Sequence, residues 1–150
     1  MRRASIAALL IGLALVAGGC GEDEPERSAL ADSLAELCDN ARADTEALGL
    51  PSEKGFAVIR PGAERGIRLA ADIKKLKGTT AAEKEQIASL AEYFRFYHNE
   101  IRAGTKLYEA GYTDAYAVTV DRAKGSLASA ESLATRMGAP ECAVRPFPDR

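Results

Sequence analysis

The chain has 150 residues, of which 47% are hydrophobic and 28% are charged, and its formal net charge is −2. This length suits one ordinary domain with a core of its own. The mildly acidic balance lacks the basic footprint that nucleic-acid binding requires, so we predict no nucleic-acid partner.

The first twenty residues have the organisation of an export signal. Arg2 and Arg3 precede an uncharged apolar run, and small residues then lead to Cys20. The apolar stretch of about 16 residues would be roughly 24 Å long as a helix, which is shorter than the ~30 Å hydrocarbon core of a bilayer. A cleaved signal is therefore favoured over a permanent transmembrane anchor.

The end of this segment resembles the lipobox of bacterial lipoproteins, in which small residues precede a cysteine that is acylated and becomes the mature N-terminus. Gly18, Gly19 and Cys20 fit that pattern, whereas Ala17 stands where the family usually has Leu, and Val16 comes one position too early. An ordinary secretory cleavage, which would leave Cys20 as a thiol, is the alternative. The resemblance implies lipidation of Cys20 and stable anchoring of an extracytoplasmic protein to the bacterial cell membrane through several acyl chains.

The sequence divides into three parts. Residues 1–19 are the predicted signal peptide, residues 20–27 combine the lipidated cysteine with a flexible acidic tether, and residues 28–150 form the predicted domain. Cys38 and Cys142 are an even pair in an oxidising compartment, so we predict a disulfide between them, with two buried thiols as the alternative.

Apolar residues at steps of three and four predict four amphipathic helices. Ser28 caps the first helix, and Gly49 ends it. Pro61 starts the second helix, although two glycines weaken its first turns. Its predicted face is Ile67, Ala70, Ile73 and Leu76.

The third helix begins at a capping box formed by Thr80 and Glu83, and Gly111 ends it. Its predicted stripe is Ile87, Leu90, Phe94, Tyr97, Ile101, Gly104 and Tyr108. Thr113 is the predicted cap of the fourth helix, which Gly138 closes. Its predicted stripe is Tyr116, Val120, Ala123, Leu127, Ala130, Ala134 and Met137. We therefore predict an all-α, antiparallel up-down four-helix bundle, with a C-terminal tail tied back by the disulfide.

His98 is the single histidine of the chain and lies in an aromatic-rich stretch. One interpretation makes it an axial ligand of haem, opposed by Met137. The simpler interpretation places it beside the core stripe, next to Tyr97. Carboxylates do not form the Glu-x-x-His pattern of a di-iron bundle, and two cysteines with one distant histidine are too few for a metal site. We therefore predict no cofactor.

The aromatic residues around the third helix and its junction with the fourth are the candidate contacts for a small ligand or a partner. These residues are Tyr97, His98, Tyr108, Tyr112 and Tyr116. Filling of the bundle is the alternative role for them. Since no catalytic motif is recognised, the predicted function is a binding or interaction module for an envelope protein or a small ligand. A haem- or metal-binding bundle and an unrecognised enzyme are the alternatives.

Overall fold

The computed structural model describes residues 28–49 and 55–143, and within them the chain folds into four α-helices and two short 3-10 turns without a strand. The helices are α1 (Ala29–Glu46), α2 (Ile59–Ile73), α3 (Ala81–Glu109) and α4 (Thr113–Arg136). The 3-10 turns are Gly55–Val58 and Pro140–Ala143. The predicted signal peptide, Cys20 and the tether lie outside the described residues.

Local sequence signals set most helix ends. The Ser28 hydroxyl accepts a hydrogen bond from the Ala31 amide at the start of α1. At the start of α3, Thr80 accepts from the Glu83 amide while the Glu83 carboxylate accepts from the Thr80 amide, which confirms the capping box. Gly111 and Gly138 have φ of 85° and 82°, a left-handed conformation that favours glycine, and they follow the ends of α3 and α4.

Two predicted helix starts are wrong by one or two residues. The helix α2 begins at Ile59, so Pro61 lies inside its first turn, where the missing amide proton costs no hydrogen bond. The N-cap of α4 is Tyr112 rather than Thr113. The Tyr112 amide donates to the Leu107 carbonyl in the turn that ends α3, so α4 starts immediately after this turn.

The helices pack in chain order, α1 against α2, α2 against α3, and α3 against α4. The Glu100–Arg122 ion pair joins α3 and α4 and marks their antiparallel register. Gly138, just after α4, lies against Ala31 in the first turn of α1. This arrangement is the predicted up-down four-helix bundle. We refer to the end with Ser28 and Gly138 as the base and to the end with Gly111 as the tip.

The disulfide between Cys38 and Cys142 is confirmed, with a Cα–Cα distance of 5.1 Å across 104 residues. It joins the middle of α1 to the turn Pro140–Ala143, which also packs on the end of α4. The C-terminal segment is thereby tied back along the bundle, as predicted. The chain beyond Ala143 is outside the described residues.

The hydrophobic core lies mainly in the half of the bundle nearer the base. All four helices and the last turn contribute to it. Its larger side chains are Leu34, Ile73, Ile87, Leu90, Phe94, Leu133 and Met137. Small residues fill the remaining positions, and this allows the helices to approach one another closely. No helix in the described part of the chain is long and apolar enough to cross a bilayer.

The buried face of α3 is wider than its predicted stripe. Ala91, His98 and Thr105, spaced seven residues apart, are buried in addition to most of that stripe. In contrast, Tyr97 is only half-buried, and Tyr108 is exposed. The difference arises because α3 packs against α2 on one side and against α4 on the other.

The buried face of α2 also differs from the prediction. Ala70 and Ile73 are buried as predicted, whereas Ile67 and Leu76 are only half-buried. The other buried residues of this helix are Gly62, Ala63 and Gly66. These small residues allow the first half of α2 to approach its neighbours closely.

Candidate functional site

His98 lies in the middle of α3 and is only 5% exposed. Its ring is packed against the backbone of α2 at Gly66, where an added Cβ atom would lie 2.0 Å from the His98 Nε2 atom. Only a glycine leaves room for the imidazole at this point of the α2–α3 interface.

Two aromatic rings of α3 flank the imidazole. The Phe94 ring is stacked with its centroid 6.4 Å away, and the Tyr97 ring lies edge-on at 4.7 Å. Tyr97 and His98 are thus neighbours in space, as they are in the sequence. The apolar surroundings of His98 come from both α2 and its own helix.

A cavity of about 40 Å³ adjoins His98, between α1, α2, α3 and the turn Pro140–Ala143. Both cysteines of the disulfide form part of its wall. The other lining residues are Ala41, Arg42, Thr45, Gly66, Leu69, Phe94, His98 and Glu141. The cavity therefore combines apolar walls with an imidazole, a guanidinium, a hydroxyl and a carboxyl group.

Four polar residues are buried among those described, and all lie in the half of the bundle nearer the tip. Three are threonines whose hydroxyls donate to backbone carbonyls of their own helices: Thr45 to Ala41, Thr105 to Ile101 and Thr119 to Tyr116, at 2.7–2.9 Å. The fourth is His98, whose imidazole has no hydrogen-bond partner in residues 28–49 and 55–143.

Burial lowers the pKa of His98 from its ordinary value of 6.5 to about 4, because removal of the ring from bulk solvent disfavours the charged imidazolium. The side chain is therefore neutral at pH 7. A neutral imidazole has one hydrogen-bond donor and one acceptor.

The five predicted contact residues do not form one site. Tyr97 and His98 lie in the middle of α3, whereas Tyr108, Tyr112 and Tyr116 lie at the tip. His98 and Tyr108 are ten residues apart on one helix, which corresponds to roughly 15 Å along its axis. The separation divides the candidate residues into an internal histidine site and a tyrosine cluster at the tip.

The tyrosine cluster consists of Tyr108, Tyr112 and Tyr116. The rings of Tyr108 and Tyr116 make an edge-to-face contact with centroids 5.4 Å apart. Tyr112, in the turn between α3 and α4, is 63% exposed, and Tyr108 is 41% exposed. These rings are accessible to a partner, and the burial that the predicted stripe implied for Tyr108 is not observed.

His98 and Met137 cannot serve as opposed ligands of one haem iron in this fold. The register marked by Glu100 and Arg122 places Met137 beside the start of α3, roughly 20 Å along the axis from His98. In addition, no group of three or more metal-binding side chains is present in the described part of the chain.

Several cavity residues were not identified from the sequence. In the sequence, Gly66 is one of the two glycines that weaken the predicted second helix, and Arg42 and Glu141 belong to no recognisable motif. Gly66 repeats the small side chains of Gly62 and Ala70 at steps of four, a pattern typical of close helix packing. Arg42 and Glu141 meet at the cavity only because the disulfide brings the C-terminal turn to α1.

Comparison with known proteins identifies no relative. No family model, curated protein or solved structure matches this chain.

Proposed function

We propose that the protein is an exported lipoprotein, anchored to the membrane through Cys20, whose helical bundle binds a partner protein of the cell envelope. The observation that carries the proposal is the pairing of Cys38 with Cys142. Structural disulfides persist in oxidising compartments. The pairing also leaves Cys20 as the one remaining cysteine, at the end of a segment that resembles a lipoprotein signal.

The direction of the bundle supports this arrangement. Ser28, the first described residue, lies at the base, and the turn with Tyr112 lies at the tip. The 29 residues of α3 span roughly 43 Å between these ends. A domain tethered at its base would therefore present the tip away from the membrane.

The tyrosine cluster is the surface that we propose for partner binding. Tyrosine is enriched at protein interfaces, because it combines a large apolar surface with a hydroxyl group and few rotatable bonds. Tyr112 is the most exposed of the large hydrophobic residues in the described part of the chain. Its side chain is therefore the one that a partner could cover most completely.

Mass spectrometry and cell fractionation test the anchor. We expect the isolated polypeptide to lack residues 1–19 and to carry acyl groups on Cys20. Cys20→Ala should release the domain from the membrane fraction, whereas Cys142→Ala should leave it attached. An intact initiator methionine, a trimmed product without acyl mass, or membrane retention of Cys20→Ala would each refute the proposed anchor.

Photo-crosslinking in the native membrane tests the binding surface. A photoreactive residue at position 112 should give a discrete adduct with one envelope protein. Position 64 is the matched control, because the Glu64 side chain is also exposed and lies on α2 toward the tip. Equal labelling from the two positions, or no adduct from position 112, would contradict a binding role for the tyrosine cluster.

A further inference from the structure

We propose that the cavity beside His98, which is partly open to solvent, is a hydration site in which ordered water binds the buried imidazole. The volume of the cavity is the first indication of which ligand it can bind. A water molecule needs roughly 10–15 Å³ of cavity volume measured with a water-sized probe, so about 40 Å³ holds about three or four water molecules. The pockets that enclose a cofactor or a drug-sized ligand are much larger, at several hundred Å³.

The imidazole of His98 supplies the polar contact that an internal water requires. The side chain is 95% buried, lines the cavity and has no hydrogen-bond partner within the described ranges. Buried polar groups in native proteins are nearly always paired with protein or with ordered water. The three buried threonines follow this rule through their own helix carbonyls, and His98 follows it only if water supplies the partner.

Other polar groups of the wall complete the coordination of the water. Arg42 of α1 can donate, and Glu141 of the C-terminal turn can accept. The Thr45 hydroxyl donates to Ala41 and keeps its capacity to accept. An internal water typically makes about three hydrogen bonds, which this wall can provide from three different elements.

A purely apolar cavity behaves differently. Such cavities remain dry and bind xenon. Cys38, Leu69, Phe94 and Cys142 give this cavity a partly apolar wall. A hydrated cavity and a dry cavity can therefore be told apart in one crystal, whether or not Cys20 is lipidated or a partner binds at the tip.

Diffraction from crystals of the mature chain, with and without xenon pressure, tests the proposal. We expect ordered density within hydrogen-bond distance of a His98 ring nitrogen and no xenon in the cavity. In His98→Phe, which keeps a ring but removes both nitrogens, the water should be lost and xenon should enter. His98→Gln, which keeps a donor and an acceptor, should retain water.

Xenon in the wild-type cavity without water density would overturn the proposal, and so would water that persists in His98→Phe at the same position. If His98→Phe does not fold, the wild-type crystals with and without xenon still decide between a hydrated and a dry cavity. Magnetisation transfer from water to the His98 ring protons in solution provides the same decision without a crystal.

Discussion

The imidazole of His98 occupies the space that any side chain at Gly66 would need. An added Cβ atom would lie 2.0–2.2 Å from three atoms of the ring, and the ring is buried between α2 and α3. The side chain at each of these two positions thus restricts which residue the other position can hold. A histidine can be buried here because the facing residue is a glycine, and the glycine is tolerated inside a helix because the ring covers it.

We predict that Gly66→Ala destabilises the domain by about 1–2 kcal/mol. Overpacking a core costs about 1–3 kcal/mol, and the better helix propensity of alanine returns up to about 1 kcal/mol. Urea denaturation measures the change. The matched control is Gly125→Ala, because a Cβ atom there meets nothing within 4 Å. This control should stabilise the domain by about 0.5–1 kcal/mol.

A double-mutant cycle identifies the cause of the Gly66→Ala effect. In a His98→Ala background the clash is removed, so Gly66→Ala should cost less than in the wild type. An equal loss of stability from Gly66→Ala in both backgrounds would show that the clash with the His98 ring is not the cause. Stabilisation by Gly66→Ala comparable to that by Gly125→Ala would contradict the observed packing.

We predict that His98 makes the fold sensitive to mild acid. Its pKa is about 4 in the folded protein, because of desolvation, and about 6.5 in the unfolded chain. Between these values the unfolded state binds more protons, so stability falls as the pH falls from about 6.5 to about 4. The loss between pH 7 and pH 4.5 amounts to roughly 2–3 kcal/mol.

The measurement is the free energy of unfolding from urea titrations at both pH values, for the wild type and for His98→Gln. The glutamine variant carries the same carboxyl groups but no titrating group at position 98, so the difference between the proteins isolates the histidine. An identical pH dependence of the two proteins would show that His98 is protonated as easily in the folded state as in the unfolded chain.

The disulfide should contribute a large part of the stability. It closes a loop of 104 residues, for which the chain-entropy model gives roughly 4–5 kcal/mol, although measured values are often smaller. We predict that reduction, or Cys38→Ser together with Cys142→Ser, lowers the free energy of unfolding by about 2–4 kcal/mol and lowers Tm. The Cys20→Ala variant is the control, since it keeps the bridge and should respond to reductant like the wild type.

Thermal melts with and without reductant measure this effect, and titration of thiols in the unfolded, unreduced protein checks the pairing. A melting curve that does not change on reduction would show that the bridge does not constrain the native domain. Reactive thiols at positions 38 and 142 before reduction would show that the bridge is absent.

Local chemistry explains why the bundle could be predicted from the sequence. Ser28, Thr80 and Gly111 act within one helix turn of themselves, so their effects are visible in short stretches of sequence. The disulfide is predicted by the even pair of cysteines that remains when Cys20 is assigned to the signal. The two incorrect predictions, a helix start at Pro61 and an N-cap at Thr113, differ from the observed positions by one or two residues.

The histidine site could be predicted only in part. A spacing of three and four residues centred the face of α3 on Tyr97, whereas the structure buries His98 as well, because α3 packs on two neighbours. The contact with Gly66 depends on the axial register between α2 and α3. No local sequence pattern specifies this register. The grouping of Arg42 with Glu141 similarly depends on residues about a hundred positions apart.

Under the proposed function, Tyr112 of the tyrosine cluster contributes to partner binding and not to the stability of the fold. Tyr112→Ala should change the free energy of unfolding by less than about 0.5 kcal/mol, because the side chain is 63% exposed and makes no capping hydrogen bond at the start of α4. It should nevertheless reduce recovery of the envelope partner in chemical crosslinking by about tenfold or more, as expected when a central interface side chain is lost. Tyr108→Ala, in contrast, removes the ring contact with Tyr116 and should reduce stability by at least about 0.5–1.5 kcal/mol. If Tyr112→Ala leaves partner recovery unchanged while the fold stays intact, the tip is not the binding surface.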